Sequence, residues 1–184
     1  DIMEKASRPG AIRIVDPVLG DNGKLYAGFG PEFPKEMAEL CKGADFILPN
    51  MTEASLLLGI PYVAEGYDQS YIEKVCNDLL KLGAKNVILT GVSFDKSKLG
   101  VACLCNSKME YYLTERLETP MHGTGDVYAS TFAGCLMQGK TPIEAASIAA
   151  DFVVESMKLT LGDTEHWYGV KFEKAIPYLV KRVG

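Results

Sequence analysis

Between residues 120 and 135 the chain reads PMHGTGDVYASTFAGC, two glycines, a threonine and an aspartate directly before a small, apolar run. The run predicts a helix, which puts Gly123, Thr124, Gly125 and Asp126 at its mouth. The first amides of a helix have no intrahelical partner and the dipole is positive there, so such a mouth attracts anions. The glycines let a ligand approach the backbone closely. Two chemistries fit these residue types. Asp126 can simply cap the helix. Alternatively, the amides hold a transferring phosphoryl group while Asp126 takes the proton from the attacking hydroxyl. His122, just before the glycines, reads as a loop hydrogen-bonding residue.

The rest of the chain must supply what surrounds that mouth. AIRIVD (11–16), DFILPN (45–50) and NVILTG (86–91) are short apolar runs of the kind that form buried strands. Helical patterns alternate with them. PKEMAELCKGA (34–44) has Pro near its start and Gly near its end, and Asn50 with Glu53 has the spacing of a capping pair. DQSYIEKVCNDLLKLG (68–83) places Ile72, Val75, Leu79 and Leu82 on one stripe. This alternation indicates a mostly parallel sheet covered on both faces. In such sheets ligands sit beyond the carboxyl ends of the strands, where Asp16, Asn50, Thr90 and Gly91 all fall. GVACLC and MEYYL, joined by residues 106–108, read as a hairpin at the sheet edge. A helix to about Gly139, another over 142–158 and a last one in FEKAIPYLVKRV complete the pattern. The polar, glycine-rich stretch 17–33 reads as a structureless lid or binding loop, with Asp21-Asn22-Gly23 as a turn sequence within it.

One motif points the wrong way. Gly134, four residues, then Gly139-Lys140-Thr141 satisfy the P-loop pattern, which needs a strand, a loop and a helix in that order. The intervening Cys-Leu-Met-Gln are poor loop formers. Gly139 is better read as a helix end, with Thr141 as the next N-cap, Pro142 as the first helical residue and Glu144 completing a capping box.

Composition narrows the partners. The formal charge is -5, from 24 acidic and 19 basic residues with no basic cluster, which argues against a nucleic-acid surface. No apolar run approaches the roughly 18 residues of a membrane span, and no targeting signal is visible. Five cysteines in apolar surroundings read as buried thiols of a reducing, cytoplasmic compartment.

DPVLGDNGKLY (16–26), LPNMTEASLLLG (48–59) and HGTGDVYAS (122–130), in this order, resemble the ribokinase-like superfamily and, within it, the pyridoxal kinases. The resemblance covers nearly the whole chain. It corresponds to the C-terminal two-thirds of such a kinase, so residues 1–184 are expected to be the C-terminal portion of one three-layer α/β/α domain. This agrees with a first residue, Asp1, set just before a core strand. The resemblance implies that Asp126 is the catalytic base and that Gly123, Thr124 and Gly125 form the anion hole. It puts Asp16, Asn50, Thr90 and Gly91 at the ATP, and Asp21 and Glu53 at the metal. The implied reaction is ATP-dependent phosphorylation of the 5′-hydroxymethyl group of a vitamin B6 vitamer, with Mg2+, in a homodimer. A monovalent cation, K+ or Na+, is often present in these kinases, but Leu48 stands where threonine is common. Trp167 and Tyr168 either border an adenine pocket or pack against the last helices. Two other readings stay open. Hydroxymethylpyrimidine kinases of thiamine synthesis often carry Cys in place of Asp126 and lack the GDNGKLY loop. A non-catalytic nucleotide-binding module would need no base.

Overall fold

The computed structural model describes residues 5–163 and 168–184. In chain order, β1 (Ile14–Val15) is followed by β2 (Gly20–Asp21), β3 (Lys24–Leu25), α1 (Phe33–Cys41), β4 (Phe46–Ile47), α2 (Met51–Leu58) and α3 (Gln69–Leu80). Then come β5 (Val87–Val92), β6 (Lys98–Cys105), β7 (Lys108–Glu115), α4 (Thr124–Met137), α5 (Pro142–Thr160) and α6 (Phe172–Val183). The central sheet has the order β1-β4-β5-β6-β7. It is parallel across β1, β4 and β5 and antiparallel through β6 and β7.

Alternation along the strands builds two cores at once. Ile47, Val87, Leu89, Ala102 and Leu104 face α1, α2 and α3. Their neighbours Phe46, Leu48, Ile88, Val101 and Cys103 face α4 and α5. Strands apolar on both faces require helices on both faces, and among the described residues three named helices lie on each side. Phe132 of α4 is fully buried and meets Phe46 edge-on at a centroid distance of 5.4 Å. All five cysteines are free and buried; burial pushes the Cys41 and Cys105 thiols up to about 11, so they pack as apolar groups.

Local chemistry sets the boundaries. Asn50 caps α2 by accepting from Glu53 N at 2.9 Å, and Gly59 stops the helix in the left-handed region at φ 63°. Asp68 caps α3 by accepting from Tyr71 N at 2.9 Å. The edge hairpin turns on Asn106 and Ser107, both left-handed at φ 51° and 63°, as a two-residue turn matched to strand twist requires.

Three expectations change. The strands expected over 11–16 and 45–50 contract to Ile14–Val15 and Phe46–Ile47. The stretch expected to be structureless over 17–33 contains the antiparallel pair β2–β3, which turns on Asn22 and Gly23 at φ 51° and 75°. Two-residue strands carry no periodicity to read. Trp167 lies outside the described residues, and Tyr168 is exposed.

The P-loop reading fails on geometry. α4 runs unbroken through Gly134 to Met137, so a helix and not a strand leads into Lys140. Glu144 N donates to Thr141 Oγ1 at 3.4 Å, and Thr141 N donates back to Glu144 Oε2 at 2.8 Å. Thr141→Ala is therefore expected to cost about 1 kcal/mol by chemical unfolding, whereas Lys140→Ala stays within roughly 0.5 kcal/mol of the wild type. A Lys140→Ala variant that stays folded but loses nucleotide affinity would contradict this assignment.

Candidate active site

The parallel strands deliver their polar ends to one rim. Asp16 follows β1 directly, and Asn50 follows β4 after Leu48 and Pro49. Thr90 N–H donates to Pro49 O at 2.9 Å, which bridges Thr90 to Asn50. Gly91 lies at the register shift between Thr90 and Val92 with φ 75°, a bulge that glycine occupies without strain.

Opposite this rim is the start of α4. Gly123 is the N-cap, at φ 77°, and no side chain caps the helix. Asp126 is the third helical residue and does not serve as the cap. Among the described residues its carboxylate takes no hydrogen bond or ion pair. The first helical bond is Val127 N–H to Gly123 O at 3.1 Å, so the amides of Thr124, Gly125 and Asp126 remain open. A Cβ at Gly125 would meet no protein atom within 4 Å; the backbone there is bare toward the space in front of it.

That space is a cavity of about 570 Å³. Asp16, Asp21, Asn50 and Glu53 line it from the strand ends and α2, Thr90 and Gly91 from β5, and Gly123 to Asp126 from α4. The structure thus brings together every site residue expected from the sequence. His122 lines the cavity too, and its carbonyl accepts from Val170 N at 3.2 Å. Leu48 is buried in the core beneath α4.

Residues 16–26 form a strap pinned to the first turn of α2. Leu19 N donates to Glu53 Oε1 at 3.1 Å, Asn50 Nδ2 to Gly20 O at 3.1 Å, and Gly23 N to Thr52 Oγ1 at 3.0 Å. The second Glu53 oxygen, Oε2, accepts from Asn50 N at 2.8 Å. Thr52, Tyr26 and Arg116 are the contributions that the sequence reading missed. Thr52 shares a helical turn with Asn50 and Glu53, the one available signal for it. Arg116 is the single Lys or Arg lining the cavity among the described residues, and nothing in its local sequence marks it.

The cavity is electrostatically loaded. Burial, and then the Asp126 charge, raise Asp16 to about 6. Burial raises Glu53 to about 7 against the opposing pull of the Asn50 and Leu19 amides. The Tyr26 phenol is raised by burial and then by Asp21, Glu53, Asp16 and Asp126, which places it among four carboxylates. Among the described residues no three His, Cys, Asp or Glu side chains are grouped closely enough to hold a metal ion. All the acidic donors are hard oxygens, and Mg2+ is commonly held by one or two carboxylates together with substrate phosphates. The donor set fits a cation that arrives with a phosphate ligand.

The phosphomethylpyrimidine kinase family model matches residues 2–169. The chain belongs to that family. The chain is similar to enzymes of two named activities. It is 29% identical to a pyridoxal kinase of Dictyostelium discoideum over 76% of this chain and 48% of that one. It is 28% identical to a hydroxymethylpyrimidine/phosphomethylpyrimidine kinase of Haemophilus influenzae, over 88% of this chain and 63% of that one. Among solved structures, a Bacteroides thetaiotaomicron protein assigned as a phosphomethylpyrimidine kinase, in a crystal form with pyridoxal, superposes with a TM-score of 0.89. It is 33% identical, over 98% of this chain and 64% of that one. The kinase-family chain thus spans about half to two thirds of the length of these relatives. No described helix is long and apolar enough to cross a membrane.

The raised Asp16 has a stability consequence of definite sign. Its folded value, about 6, lies above the ordinary 3.8, so ionisation favours the unfolded chain. The contribution of neutral Asp16 is full below pH 4 and is lost as pH rises through about 6; the raised Glu53 extends that loss toward 7. Asp16→Asn should match the wild type near pH 4 and exceed it by roughly 1–3 kcal/mol at pH 8, measured by urea unfolding. Equal stabilities at pH 8 would contradict the buried-charge account.

Proposed function

We propose that this chain carries the phosphoryl-transfer site of an ATP-dependent kinase acting on the 5′-hydroxymethyl group of pyridoxal, pyridoxine or pyridoxamine. The observation that carries the reading is Asp126: an uncapped carboxylate beside open amides at a helix N-terminus, facing a cavity rather than the helix it belongs to. A structural cap would satisfy those amides. Asp126 leaves them available.

In this reading Asp126 Oδ accepts the proton of the substrate hydroxyl as its oxygen forms a bond to the γ-phosphorus. The bond from that phosphorus to the ADP oxygen breaks, and ADP leaves. The amides of Thr124 and Gly125 hold the equatorial oxygens of the transferring group, for which a bare Gly125 backbone leaves room. Asp16, Asn50, Thr90 and Gly91 line the nucleotide side, while Asp21 and Glu53 would stand on the side of the divalent cation, Glu53 more by holding the strap than by ligating. Magnesium, bound with ATP, would offset the charge of the phosphates that these carboxylates otherwise repel. A K+ or Na+ partner is compatible with the scheme but has no hydroxyl ligand at Leu48.

Hydroxymethylpyrimidine is the second candidate substrate, and relatives of that activity match at similar identity. Asp126 and the GDNGKLY loop favour the vitamin B6 reading, because the resemblance drawn from the sequence links both to pyridoxal kinases. Steady-state assays with pyridoxal, pyridoxine, pyridoxamine and hydroxymethylpyrimidine separate the two.

Asp126→Asn preserves size but cannot accept the proton. Its kcat is expected to fall about 10²- to 10⁴-fold, with MgATP affinity by calorimetry close to that of the wild type. Turnover within a factor of about three of the wild type, set against that expected loss, would remove Asp126 as the base.

A further inference from the structure

We infer that the first turn of α2 is a clamp that sets the positions of Asp16 and Asp21, with Thr52 and Glu53 as its positioning residues. The functional part of this inference rests on the kinase reading above. Asp16 and Asp21 stand on a stretch with little structure of its own. β2 and β3 have two residues each, and an isolated hairpin is marginal in water even when longer. Val18 is 46% exposed, and Asp21, Asn22 and Lys24 are exposed as well. Pro17 and Leu19 are buried and anchor the start of the stretch in the core, so what holds the exposed part around Asp21 is what it is bonded to.

Side chains of α2's first turn and its cap supply three of those bonds, at Leu19, Gly20 and Gly23, on both sides of Asp21. Two of the three groups are deeply buried: Thr52 is 2% exposed and Glu53 4%. Breaking a hydrogen bond at such a site leaves a desolvated partner and costs more than breaking one at the surface. The environment of Glu53 argues against cation ligation as its main duty. Oε1 already accepts from Leu19 N and Oε2 from Asn50 N, so the carboxylate joins the strap to the helix cap. Thr52 lies outside the cavity lining, and its hydroxyl is engaged with Gly23. It can affect the site only through the strap.

Hydrogen exchange on the full chain without ligand tests the clamp directly. Thr52→Val keeps the side-chain shape and removes the acceptor. Glu53→Gln turns one acceptor into a donor facing an N–H, while Gln remains an accepted capping-box residue. Both variants should exchange roughly three- to tenfold faster over residues 19–23, with 54–58 unchanged, and Thr52→Ser should restore the wild-type rate. A Mn2+–ATP titration is the second arm: affinity should fall in Thr52→Val and recover in Thr52→Ser, which a general loss of stability does not explain. Wild-type exchange over 19–23 in Glu53→Gln overturns the clamp; if it is accompanied by lost Mn2+–ATP affinity, Glu53 is a ligand instead. Should Thr52→Val not fold, Glu53→Gln decides the exchange arm alone. A wild-type chain that binds no Mn2+–ATP counts against the kinase reading, while the exchange comparison still decides the clamp.

Discussion

A single buried carboxylate ties the working parts of this molecule together. Glu53 closes the cap of α2 with one oxygen and reaches 34 residues back to Leu19 with the other. Through Asn50, the same cap is bridged to Thr90 on the neighbouring strand. The ends of β4 and β5, the start of α2 and the strap after β1 are thereby held in one hydrogen-bonded unit. The cost is a carboxylate in a poorly hydrated place, offset by two amide donors.

Around that unit the protein holds charge it cannot itself neutralise. Asp16, Asp21, Glu53 and Asp126 all act on Tyr26, and Arg116 is the lone basic side chain lining the cavity among the described residues. On the far side, the α4 amides present partial positive charge with no side chain answering it. The two halves of the cavity are thus mismatched within themselves, and on the kinase reading proposed above they match a ligand that is anionic at one end and accompanied by a cation at the other. Such preorganisation sacrifices stability for binding, as local rule-breaking at functional sites commonly does.

How much of this was legible in the sequence depended on the range over which each signal acts. Caps and glycine stops are local chemistry, and Asn50–Glu53, Thr141–Glu144 and the helix over 68–83 could be read nearly to the residue. The both-faces-buried strands NVILTG and DFILPN stood out as apolar runs, and with them the rim that gathers Asp16, Asn50 and Thr90. The β2–β3 pair was hidden because two residues per strand leave no alternation. Thr52 was hidden for another reason: a buried threonine on a helix looks like packing until its partner, 29 residues away at Gly23, is known. Whether Asp126 caps its helix was undecidable from Gly-Thr-Gly-Asp alone. The backbone answered it by putting the cap at Gly123.

The turn of the strap also bears on how the protein ages. Asn-Gly pairs are the sequences most prone to spontaneous deamidation, because the glycine nitrogen closes a succinimide ring on the asparagine side chain. In the Asn22–Gly23 turn that nitrogen donates to Thr52 Oγ1, and the Asn22 amide group donates to Asp21 Oδ2. Ring closure would have to break both contacts and swing the side chain out of the turn. A Cβ at Gly23 would also lie 2.7 Å from the Tyr62 ring, so replacing the glycine is no simple route to a longer shelf life. The bond that steadies the strap is also what shelters its most chemically labile pair.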